Sequence, residues 1–125
     1  MAQEKVTLIH GYKVGDAALK EAVLREPTSA DILEAQESAE KLVKTDSGYE
    51  FVTSPSAMGL HILCRQIVSI GNVMGPLDVV ELKKLHPVDL NLLQEAAEVL
   101  EAAMYKQASQ AVAQRGRSDG GDTSA

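Results

Sequence analysis

Residues 24–35 read Leu-Arg-Glu-Pro-Thr-Ser-Ala-Asp-Ile-Leu-Glu-Ala, and within them the chain changes from extended to helical backbone. Pro27 cannot donate to a strand ladder and stops what precedes it. Thr28 and Asp31 have the spacing of a capping box, in which the hydroxyl and the carboxylate take up backbone N–H groups that a helix start leaves free. Asp31 also suits the positive end of the helix dipole. Downstream, Ile32, Ala35, Ala39, Leu42 and Val43 recur at helical spacing, with Glu34, Glu37, Glu40, Lys41 and Lys44 on the other face. This predicts a helix from Thr28 to Lys44, ended by Thr45–Gly48. Upstream, Lys5–His10 is a short β-branched run, Gly11–Asp16 carries two glycines of a turn, and Ala18–Arg25 returns. These read as an antiparallel hairpin that needs a surface to lie on.

Beyond the first helix, Tyr49–Val52 reads as an extended link. Ser54 caps and Pro55 opens a second helix, predicted to reach Ile70 and apolar on most of its circumference. Gly71-Asn72 ends it. Pro76 introduces a short helix over Leu77–Leu85, His86-Pro87 breaks it, and Asp89 is a suitable cap for a last helix to about Gln110. In that helix Leu90, Leu93, Ala97, Leu100, Met104, Gln107 and Ala111 follow a 3-4 spacing, the mark of a coiled-coil-like seam. A second apolar stripe, Leu92, Ala96, Val99 and Ala103, lies beside it. The expected fold is α+β but mainly α, an N-terminal β-hairpin packed on a small helical bundle. The domain spans 1–112, followed by a disordered tail over 113–125, where the composition turns to Gly, Ser, Asp and Arg.

Composition narrows the function. The chain has 125 residues, 45% of them hydrophobic and only 3% aromatic, and a net charge of −6. A core short of large rings favours packed helices. An acidic chain without a basic stripe is a poor partner for nucleic acid or an anionic membrane surface. The lone Cys64 fits a reducing compartment, and the N-terminal residues have no secretory pattern, so the cytoplasm is the expected location. No metal, phosphate-loop or nucleophile motif occurs, and the three histidines are scattered, which leaves no cofactor and no catalysis to expect. His61 and Cys64 share a helical face, but they read as a buried thiol beside an imidazole rather than half a metal site. Asp31, Glu34, Glu37 and Glu40 read as a solvated face, and Arg115 and Arg117 as solubilising.

Leu24, Arg25, Glu26, Pro27 and Thr28, followed by Asp31, resemble the signature of the tail assembly chaperone family of Mu-like, long-tailed phages. The likeness continues through a central apolar helix with Arg65 and Gly71, then Leu82, Leu85, Asp89 and Leu92, and covers roughly residues 5 to 105. Thr45–Thr53 has no counterpart in that pattern. The resemblance implies a protein that binds the tape measure protein, keeps this long helical chain soluble until tail tube protein subunits polymerise round it, and is absent from the finished virion. The residues themselves put the client surface on the apolar helices, at Leu60, Leu63, Ile67, Leu90, Leu93, Leu100 and Met104, because two stripes on one helix exceed what a single internal contact requires. The same excess would suit a homo-oligomer. The alternative is a small structural protein of the tail or head–tail joint, retained in the virion.

Overall fold

The computed structural model describes residues 2–123, with side chains over 2–113. Among them are strands β1 (Gln3–Val14), β2 (Ala17–Arg25), β3 (Glu40–Thr45), β4 (Gly48–Thr53), β5 (Ile67–Ile70) and β6 (Val73–Met74). The helices are α1 (Ser29–Ser38), α2 (Pro55–Gln66), α3 (Val79–Leu82) and α4 (Pro87–Thr123). The mainly helical expectation is therefore wrong: a four-stranded antiparallel sheet ordered β1-β2-β5-β6 and a separate β3–β4 hairpin accompany the helices.

The N-terminal hairpin forms where expected. Gly15 stands first in its two-residue turn at φ +59, the position that a II′ turn reserves for glycine. Between the Thr7–Glu21 and Tyr12–Leu19 pairs, β1 passes through Leu8–Gly11 while β2 has only Lys20, so β1 bulges away from its partner. The surface on which the hairpin lies is partly its own sheet. Ile67–Ile70, expected as the last turn of the second helix, instead pairs with β2, Ala22 facing Ile70. Three of these four residues are β-branched, and the open edge of β2 satisfies their backbone groups better than a fraying helix end.

One face of this sheet makes the core. Val6, Leu8, Ala22, Leu24, Ile67 and Ile70 meet Leu63 and Cys64 of α2, Leu82 of α3, Leu85, and Leu93, Ala96 and Leu100 of α4. α4 crosses β1 and β2, α2 lies against α4, and α1 packs on α2. α1 stops at Ser38, where the Ala39 amide donates back to Ala35 O, and the residues read as its second half become β3. α3 is shorter than the helix expected over Leu77–Leu85. α4 begins at Pro87, which puts Asp89 inside its first turn rather than at the cap. The disordered tail expected over 113–125 falls almost wholly on residues whose side chains lie outside the described ones.

Candidate functional site

Two polar junctions hold the helices in place. At the first, the bulge in β1 turns three successive amides away from β2, and Asp89 takes all three. Ile9 N donates to Oδ1 at 2.7 Å, and His10 N and Gly11 N donate to Oδ2 at 3.0 and 2.9 Å. Gly11 permits this at φ +87, where an added Cβ would stand 3.0 Å from Leu19 O. Asp89 is fully buried. Burial pushes its carboxyl up, but the three backbone N–H groups stabilise the charged form, and the net shift is downward. Beside it His86 Nδ1 accepts from Val88 N at 3.2 Å, and the His86 ring stacks on His10 with centroids 3.7 Å apart. The start of α4 is thus fixed to β1.

The second junction is the Leu24–Asp31 stretch. Thr28 Oγ1 accepts from Asp31 N at 3.1 Å, and Thr28 N donates to Asp31 Oδ2 at 2.8 Å, completing the capping box. Arg25 grips the same carboxylate with both terminal nitrogens, at 2.7 and 3.2 Å, and donates to Arg65 O at the end of α2 at 2.8 Å. Arg25 chiefly, with the Thr28 groups, holds the Asp31 carboxyl below its ordinary range against the opposing effect of burial. Gln66 Nε2 returns a bond to Arg25 O, and Arg65 pairs with Glu34. The signature residues therefore join β2, α1 and α2. The acidic face read at Asp31, Glu34, Glu37 and Glu40 does not exist as one face: Asp31 is buried, Glu34 is paired, and Glu40 belongs to β3.

With α2 and α4 so placed, an open groove of about 700 Å³ runs between them. Leu60, Leu63, Leu90 and Ala97 contribute apolar surface, and Glu95, Glu98 and Glu101 form an acidic wall. Gly59 also lines it, and an added Cβ there would meet nothing within 4 Å. A glycine inside a helix costs up to about 1 kcal/mol against alanine. Among the described residues no contact calls for it, so its open position leaves the α2 backbone accessible from the groove.

Of the residues expected to face a client, Leu60 and Leu90 are half-buried and line this groove, and Met104 is half-buried further along α4. Leu63, Ile67, Leu93 and Leu100 are sealed in the core, although Leu63 also reaches the groove wall. Sequence periodicity missed Gly59 and the acidic wall, which only the α2–α4 apposition brings together. Cys64 is buried, and burial first of all pushes its thiol up to about 11, so it is held as an unreactive thiol. Among the described residues, no group of three or more His, Cys, Asp or Glu is arranged to hold a metal ion. No described helix is long and apolar enough to cross a membrane.

Residues 8–117 match the family model described as tail assembly protein gp41. The chain is similar to the Mu-like prophage FluMu protein gp41 of Haemophilus influenzae, with 37% identity over 94% of this chain and 91% of that protein. It is also similar to the probable tail assembly protein gp41 of Escherichia phage Mu, 41% identical over 78% of this chain and 65% of that protein. The probable tail assembly protein FS-gp41 of the same phage is 43% identical over 67% of this chain and only 45% of its own length. No solved structure matches the chain.

Proposed function

The chain belongs to the gp41 family of tail assembly proteins, and on that premise we propose that it is a non-catalytic chaperone of phage tail assembly that receives a helix of the tape measure protein in the α2–α4 groove. The carrying observation is Gly59: a helix-interior glycine for which the described residues supply no packing reason, on an apolar groove with an acidic wall. A client helix laid there would bury its apolar stripe against Leu60 and Leu90 and approach the α2 backbone closely at Gly59. Glu95, Glu98 and Glu101 favour a client whose stripe is flanked by Lys or Arg, and added salt should weaken such a complex. Covering the stripe keeps the client soluble in the host cytoplasm. Release follows when tail tube protein subunits compete for the client, and the chaperone stays out of the mature virion.

Co-expression with the tape measure protein tests this reading. The wild-type chain should raise the soluble fraction of the client and co-purify with it. Gly59→Trp, which fills the groove from an open position, should fold normally and lose both effects, while Gly59→Ala should fold at least as well and weaken them, because its methyl group stands where the client approaches the α2 backbone. Equal client recovery with Gly59→Trp, or none with the wild type, would rule out the groove.

A further inference from the structure

The β3–β4 hairpin stands apart from the body. Its strands pair with each other and pack on no other element to a significant extent. An isolated two-stranded sheet is marginal in water, and this one presents Leu42, Tyr49 and Phe51 at 60, 69 and 72% exposure. In its register Leu42 faces Phe51, Lys44 faces Tyr49 and Glu40 faces Thr53 on one side, with Lys41–Val52 and Val43–Glu50 on the other. Both outer edges are open among the described residues.

We propose that the β3 edge pairs antiparallel with β3 of a second copy, with Leu42 on the two-fold axis, so that two chains share a four-stranded sheet ordered β4-β3-β3-β4. The charges select this arrangement. Centred on Leu42, Glu40 of each copy lies opposite Lys44 of the other, Lys41 lies opposite Val43, and no like charges meet. Centring on Lys41 sets that lysine against itself. Centring on Val43 brings Glu40 opposite Asp46 and forms no ion pair. The β4 edge has Glu50 as its only charge and offers no complementary partner. In the Leu42-centred sheet Phe51, Leu42, Leu42 and Phe51 form one continuous row across the dimer, so each leucine gains an apolar neighbour in place of water. Four strands also lift the hairpin out of its marginal two-stranded state.

Sedimentation equilibrium on the full chain, with charge exchange, tests the arrangement. The wild type should be a reversible dimer. Lys44→Glu, which sets like charges opposite each other at two places, should raise the dissociation constant at least about tenfold. Glu40→Lys should do the same, and the double exchange should restore dimerisation, because the two ion pairs return with reversed polarity. Under mild oxidation Leu42→Cys should form a covalent dimer, while the same substitution at Val43 should not. A monomeric wild type, a dimer indifferent to Lys44→Glu, or a double exchange no better than the single ones would each overturn the proposal. The second of these results is what a dimer built on the α4 seam would give.

Discussion

Asp89 ties α4 to β1 through a single carboxylate on which three backbone donors converge. Asp89→Ala leaves those amides inside the molecule without an acceptor. A charged hydrogen bond is worth about 1.5–3 kcal/mol and an orphaned buried donor costs about 1–3 kcal/mol. A loss of about 3 kcal/mol, read as a lower urea midpoint at unchanged slope, is therefore expected. Arg25→Lys should cost about 1 kcal/mol, since an ammonium cannot make the two-nitrogen grip on Asp31 while also reaching Arg65 O. Both carboxyls have folded-state values held below the ordinary one. Their contribution is then complete above the ordinary aspartate value of about 3.9 and disappears as pH falls through their lower folded values. The urea midpoint should hold steady between about pH 5 and 7 and drop below about pH 4. In Asp89→Asn that acid fall should be shallower. The sequence made the Thr28–Asp31 box legible because capping is local. The role of Asp89 was hidden because its partners lie 78 to 80 positions away and depend on a bulge that no propensity announces.

Among the elements, β3 and β5 explain why a mainly helical reading failed. Leu42 and Val43 continue the spacing of Ala35 and Ala39, so periodicity alone carried the helix past its end. Lys41–Thr45, with β-branched Val43 and Thr45, is compatible with a strand as well, and the two readings separate only when Gly48–Thr53 is recognised as a pairing partner. Ile67–Ile70 is the same ambiguity, a short apolar run after a helix, settled by the free edge of β2. In both places the deciding contact is non-local. The hairpin also makes a prediction of its own. Ser54 N donates to Ala39 O at 3.1 Å, so the hairpin's ends are already joined at the body. Replacing residues 41–52 with a short glycine-rich turn should leave the thermal midpoint of the body within a few degrees, because little of the core is touched. A collapse of the midpoint would mean that the hairpin supports the fold.

At the scale of the whole molecule, a half-sheet and a long helix enclose one core, and the face of α4 that the core does not use meets α2 to form the groove. That α2 and α4 carry apolar surface was legible in the sequence. Its location was not, because Leu93 and Leu100 turn inward while Leu90 turns to the groove, and a stripe at 3-4 spacing contains both kinds. Gly59→Ala should raise stability by about 0.5–1 kcal/mol, since the helix gains a better former in open space. A protein that forgoes that gain at this position fits a groove kept for close approach. Hydrogen exchange of the chain with and without the proposed client, the tape measure protein, tests this most directly. Slowed exchange should centre on the α2 amides around Gly59 and Leu60 and on the α4 turns from Leu90 to Glu101, with β3 and β4 unchanged. Protection confined to the hairpin, or no change in α2 and α4 while the client is demonstrably bound, would contradict a groove-bound client.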